Sequence, residues 1–260
     1  MSESHAPVAA PRPVPFIARC KGEVPYTGPL TMTDGWISYP ATRTSDRGEG
    51  SVLIQRTVGA PTGPVRAADI DPGRQFEAMA GFLCQGCGGP STRRPGSHAR
   101  LWALPAVQNG RPVEPAGLRT ESPPVCAVCV REHLPRCPVM RPGHQLLWVR
   151  LAPVVGVMAT PLPPSLPSVG TAPPRFLPLP PDIDSDDGGM EGGAPLGGAC
   201  AAWQCALAQS LVREIQSCIP ADPAKVAELA ARQRVEQAGG GPCPLSAPVG
   251  SALSTAGGTR

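Results

Sequence analysis

Apolar positions along this chain fall in short runs whose period keeps changing. Val14–Cys20 (VPFIARC), the DGWISY stretch around Trp36 and Ser51–Val58 (SVLIQRTV) are brief and rich in β-branched and aromatic residues, which predicts strands. The turn-rich SDRGEG at 45–50 predicts a hairpin connection between the last two, and PTGPVRAADIDPG after them reads as loop. Phe76, Met79 and Leu83 recur at i, i+3 and i+7, so a short helix is expected over 74–83, delivering the chain to Cys84. Ala99–Ala106 (ARLWALPA) predicts a strand and Asn109-Gly110 a tight turn. A short helix stopped by Pro135 is expected over 126–134, and His144–Ala159 reads as one strand or as two broken at Pro153.

From Pro161 to Pro181 there are nine prolines in 21 residues, the signature of a polyproline-like linker. It continues as an acidic, glycine-rich spacer. Asp182 to Gly188 begins like a calcium loop, but position 6 is Asp187 instead of glycine and position 12 is Gly193 instead of glutamate. That stretch reads as solvated linker. Beyond it, Trp203, Leu207, Leu211, Ile215 and Cys218 recur at helical spacing. Asp222 and Pro223 then cap and open a second helix that stops at Gly239 to Gly241. Together these predict a helical hairpin over 199–238. Two such helices cannot bury enough surface alone. The hairpin is expected to pack on the preceding domain, on a second copy, or on an unknown protein partner. The expected organisation is a disordered lead (1–13), an α+β domain (14–160), the linker (161–198), the hairpin and a disordered tail (239–260).

Composition narrows this further. Pro 36 and Gly 30 in 260 residues leave room for only a modest folded unit with irregular flanks, and aromatics are just 4%. The N-terminal residues hold no apolar stretch of signal-peptide length. The most apolar run, 146–159, falls short of the roughly 20 residues of a membrane span. A soluble cytoplasmic protein with no membrane contact is expected. Cytosolic thiols stay reduced, so the 10 cysteines point to metal binding rather than disulfides.

Cys84 and Cys87 form one CxxC pair, and Cys126 and Cys129 form another after 38 intervening residues. A CxxC turn places two sulfurs on one side of a tetrahedron, and a second turn closes it around zinc. The glycines of CQGCGG suit the tight curl such a turn needs. These four cysteines are the expected ligands of a structural Zn²⁺. His133, one helical turn after Cys129, and Cys137, just past Pro135, are reserve or supporting ligands. The fold expected around them is a small α+β, zinc-ribbon or treble-clef-like domain with short β-hairpins and short helices.

The segments PFIARCKGE, DRGEGSVLIQR, AMAGFLCQGCGGP, RLWALP, PPVCAVCVREHLPRCP and VRLAPVVGVMA carry one recurring pattern. Over about residues 14–160 it resembles a group of small cytosolic proteins from high-GC actinobacteria. They share an L-C-x-x-C-G-x-P knuckle, a Leu-Trp strand and a P-P-V-C-x-x-C…C-P segment. The resemblance implies that Cys137 and Pro138 belong to the pattern.

HNH nucleases invite a second comparison, since many are stapled by two CxxC pairs at similar separation. Their dyad and downstream asparagine are not matched here. Ser97 precedes His98, Gly110 follows Asn109, and CAVCVREH lacks the asparagine. No nucleophile–base pair, phosphate loop or dinucleotide fingerprint occurs either. The chain is therefore expected to be a non-catalytic zinc-binding interaction or adaptor protein. A nucleic-acid-binding protein is the alternative and an HNH-like nuclease the third reading. The alternative draws on charge, because residues 84–150 hold nine arginines and three glutamates, net +6. Arg93, Arg94, Arg100, Arg111 and Arg119 on the stretch between the knuckles are its candidate phosphate contacts.

Overall fold

The computed structural model describes residues 15–33, 35–162, 172–179 and 203–239. The expected disordered lead, the acidic spacer with its calcium-like stretch and the expected tail past Gly239 lie outside them. In chain order the strands are β1 (Ala18–Cys20), β2 (Glu23–Pro25), β3 (Thr31–Thr33), β4 (Trp36–Ser38), β5 (Leu53–Ile54), β6 (Thr57–Gly59), β7 (Val65–Ile70), β8 (Arg100–Pro105), β9 (Val107–Gln108), β10 (Arg111–Pro112), β11 (Leu118–Thr120), β12 (His144–Leu151), β13 (Val154–Pro161), β14 (Arg175–Pro178), β15 (Ala206–Ile215) and β16 (Ser217–Pro220). The helices are α1 (Pro72–Gly81), α2 (Ala127–His133) and α3 (Pro223–Gly239). This is a small α+β fold made mostly of strands. Among the described residues no helix is long and apolar enough to cross a membrane.

A folded ribbon organises the strands. β12 runs into β13 through Ala152 and Pro153, and β15 runs into β16 through Gln216. The bends coincide: Glu214 N–H donates to Pro153 O at 3.0 Å and Gln216 N–H to Leu151 O at 3.0 Å. The β12–β16 and β13–β15 ladders are thus two halves of one antiparallel ribbon. Pro153 has no N–H to give the ladder and a fixed φ, which is why the break falls there. One half joins the sheet β16–β12–β8, and the other lies in the sheet β11–β15–β13–β14, with β5 also on β15.

The β8–β12 sheet is covered on both faces. Leu101, Ala103, Leu146 and Trp148 pack beneath α2 and α3 with the cysteines. Trp102, Leu104, Leu147 and Val149 pack on the other side with Ile215. Double-sided burial explains why RLWALP and QLLWV lack polar alternation.

The outer edge of β15 has a different solution. β5 pairs with it in parallel at Leu207–Ala208, and β11 pairs antiparallel at Arg213–Ile215. Between them a side chain completes the ladder. Leu211 N–H donates to Gln75 Oε1 at 2.8 Å, and Gln75 Nε2 donates to Leu211 O at 3.0 Å and to Glu121 O at 2.7 Å. Gln75 belongs to α1, so the rung also pins that helix. Asp71 caps α1 by accepting from Arg74 N–H at 2.8 Å, with Pro72 at its first position. Buried Arg213 holds the other end: Nε donates to Met79 O at 3.1 Å and Nη1 to Ala152 O at 2.5 Å.

Several expectations need correcting. The apolar stripe over Trp203–Cys218 does not form the first arm of a helical hairpin, because residues 206–215 are strand β15. Its spacing was ambiguous for two reasons. The strand is buried nearly throughout, and the ladder with β13 shifts register between Met158 and Ala159, so Gln209 is an extra residue that breaks period 2. The second arm is a helix, α3, as Asp222-Pro223 indicates. Within the Pro161–Pro181 stretch, Arg175–Pro178 is strand β14 on the edge of β13 and not linker. Proline is tolerated on such an edge because its missing N–H faces away from the ladder. The 45–50 turn does not make a hairpin, since β4 pairs with β3 and β5 with β15. Val65–Ile70, read as loop, is strand β7 on β1.

Replacing Gln75 by leucine leaves three buried main-chain groups without partners. Urea denaturation should show a loss of about 2–4 kcal/mol in unfolding free energy, with metal content unchanged.

Candidate metal centre

The first knuckle is a tight turn closed by a bridge between Leu83 and Pro90. Cys84 N–H donates to Gly89 O at 2.6 Å, and Gly88 N–H donates to Cys84 O at 2.8 Å. Gly88 has φ +71°, and a Cβ there would meet Phe16 at 2.7 Å, so glycine is required on both counts. The segment before β1 lies over this turn, with Phe16 N–H donating to Gly86 O at 2.8 Å.

The second knuckle sits where an extended segment enters α2. Cys126 is the cap residue and its Sγ accepts Cys129 N–H at 3.4 Å. The matching bond in the first knuckle runs from Gly86 N–H to Cys84 Sγ, also 3.4 Å. Gln85 N–H donates to Pro124 O at 3.0 Å, tying the two knuckles directly. Thr92 holds the second one from behind. Its Oγ1 accepts Ala127 N–H at 2.8 Å and donates to Gln233 Oε1 of α3 at 3.1 Å. Arg234 of α3 pairs with Glu132 of α2.

The four sulfurs of Cys84, Cys87, Cys126 and Cys129 all lie within 4.8 Å of one another, and Cys87 and Cys126 are 3.8 Å apart. A tetrahedron with metal–sulfur bonds of about 2.3 Å has edges of about 3.8 Å. The donor set therefore fits a four-thiolate metal ion in both size and chemistry. All four are free thiols, and all but Cys87 are buried. The close approach of Cys126, Cys129 and Cys87 holds the Cys84 thiol well below its usual range, as expected of a site that gathers thiolates.

The supporting ligands stand apart. Cys137 is half-buried against the same core, and its carbonyl accepts from Met140 and Arg141 in a turn. His133 lies on α2 with Nε2 4.0 Å from its neighbour Glu132, and burial lowers its pKa. Neither joins the four-sulfur cluster. The five arginines are also divided. Arg93 and Arg94 lie on the loop leading into β8 and Arg100 opens that strand, while exposed Arg111 is on the β9–β10 hairpin. Arg119 is engaged by Glu214 at 3.4 Å and lies over the Phe176 ring. Sequence reading missed Thr92, a lone threonine whose role depends on α3 packing beside α2 and leaves no spacing signature.

Compared with known proteins, the chain matches no family model, no curated protein and no solved structure.

A Cβ at Gly86 would lie 2.8 Å from Cys129 Sγ, whereas one at Gly89 would lie an ordinary 3.5 Å from Cys87 Sγ. Gly86→Ala should surrender its metal at a chelator concentration about tenfold lower than wild type, a cost of about 1.4 kcal/mol. Gly89→Ala should titrate like wild type. Competition with a chromogenic chelator measures both.

Proposed function

We propose that this chain is a non-catalytic zinc-binding protein in which Zn²⁺ holds a treble-clef-like clasp closed, and that it works by binding a partner. The observation that carries this reading is the buried cluster of four sulfurs within 4.8 Å. Four thiolates fill a tetrahedral shell and leave no open position for a substrate or an activated water. One knuckle in a glycine turn and the other at a helix start support the treble-clef-like reading over a zinc ribbon. Iron would accept the same thiolates, and elemental analysis distinguishes the two metals. An interaction surface formed by a free helical hairpin loses its support, because residues 206–215 are buried inside a sheet.

A second reading, nucleic-acid binding, is favoured by Arg93 and Arg94. Both are exposed and, among the described residues, neither pairs with a carboxylate.

Purified wild-type protein should contain one zinc per chain. Cys84→Ser and Cys126→Ser should lose it, while Cys137→Ser should keep it; a metal-free wild type would remove the proposal. For the second reading, filter binding to single-stranded DNA at increasing salt should give a log–log slope of about −2, as expected for roughly three phosphate contacts. A flat response removes that reading alone.

A further inference from the structure

Arginines gather at one corner of the β8–β12 sheet. Arg93 and Arg100 face each other across an antiparallel bridge, and Arg100 pairs in turn with Val149, next to Arg150. Like charges directly opposite one another destabilise a sheet. Among the described residues, none of these three arginines forms an ion pair. Arg100 engages only Nη1, with Ser91 O at 3.3 Å and Ser91 Oγ at 3.4 Å, out of the five N–H donors of a guanidinium. Burial, and then the neighbouring charge of Arg93, lower the pKa of Arg100.

These groups surround a cavity of about 180 Å³, which Arg93, His98, Arg100 and Arg150 line together with the rings of Phe82 and Trp102. Trp102 is fully buried and its indole N–H is committed to Ser122 O at 2.7 Å, so the ring offers an apolar wall. Arg213 lies over the Phe82 ring at 4.3 Å and adds a further cation beside the cavity. Walls of low polarity concentrate the field of charges of one sign.

We propose that this cavity binds a phosphoryl group. Guanidinium forks match phosphate oxygens in pairs, and three arginines suit a dianion better than the single charge of a carboxylate. The volume is below the roughly 300 Å³ of the smallest ordinary ligand pockets, so the cavity takes one charged group and not a whole cofactor. The phosphoryl group comes either from a small phosphate monoester or from a nucleic-acid backbone. The site shares Arg93 and Arg100 with the nucleic-acid reading above and rests on it only to that extent. Arg94, exposed on the same loop and outside the cavity, separates the two.

The test is calorimetric titration of the full zinc-loaded chain at low ionic strength, with inorganic phosphate and separately with a short oligothymidylate. Saturable phosphate binding is expected, weakened about tenfold or more in Arg100→Gln and in the more exposed Arg150→Gln, and unchanged in Arg94→Gln. Zinc content and thermal unfolding of each variant distinguish a lost ligand from a lost fold. Phosphate binding without oligonucleotide binding upholds the cavity as a monoester site and ends the nucleic-acid reading. Oligonucleotide binding that phosphate displaces upholds it with the backbone as the source. No saturable phosphate binding by wild type, or equal binding by Arg100→Gln and Arg150→Gln, overturns the proposal. So does oligonucleotide binding that Arg94→Gln weakens and Arg100→Gln leaves intact, though it spares the nucleic-acid reading.

Discussion

The main chain of β15 runs through the interior, and its polar groups must find partners away from water. One edge is met by a single long partner, β13. The other is met in three pieces, by β5, by the amide of Gln75 and by β11. That division positions much of the remaining structure. It brings the N-terminal third of the chain onto the sheet through β5. It also locks α1 against β15, and α1 ends at Gly81, just ahead of Cys84, with Phe82 after it in a left-handed conformation, φ 52°. The turn that presents the first pair of sulfurs is thus oriented by hydrogen bonds made at the centre of a sheet more than a hundred residues later in the sequence.

The four-cysteine site and the core are not separate layers. Cys84, Cys126 and Cys129 pack in one cluster with Leu101, Trp148, Val226 and Ala230. The chain that supplies this cluster is poor in aromatics. Structural zinc contributes about 10–16 kcal/mol to the folding of small zinc-binding peptides, on the scale of a whole domain's net stability. Thr92 ties the four-cysteine site to the C-terminal helix, because one hydroxyl accepts from the second knuckle and donates to α3.

The two CxxC pairs were legible because ligand geometry imposes a spacing that survives any surrounding fold. The break at Pro153 and the turn at Asn109-Gly110 follow from backbone chemistry that is equally local, whereas the Asp71–Pro72 start of α1 lies in a stretch that reads as loop. β15 was not legible in the same way. Leu207, Leu211 and Ile215 are four residues apart, an interval a helix face and an even-spaced strand face both satisfy. In the fold they serve three different clusters, with Tyr39, with Met79 and with Trp102 respectively. The surroundings that make each apolar come from distant segments, so no window of sequence contains them. Gln75 shows the same limit: a polar residue on a short helix looks solvent-facing until its strand partner is known, yet it is 1% exposed.

The chain leaves the ribbon at Leu162 and rejoins it at Cys205, where Leu162 N–H donates to Cys205 O at 2.7 Å. Between them, the described residues return to the sheet through β14 and through Trp203, whose Nε1 donates to Pro178 O at 2.8 Å. Closing such a loop costs free energy that grows only with the logarithm of its length, about 0.6 kcal/mol for each doubling. The spacer can therefore lengthen, shorten or accept an inserted domain between generations with little effect on the ladder that flanks it.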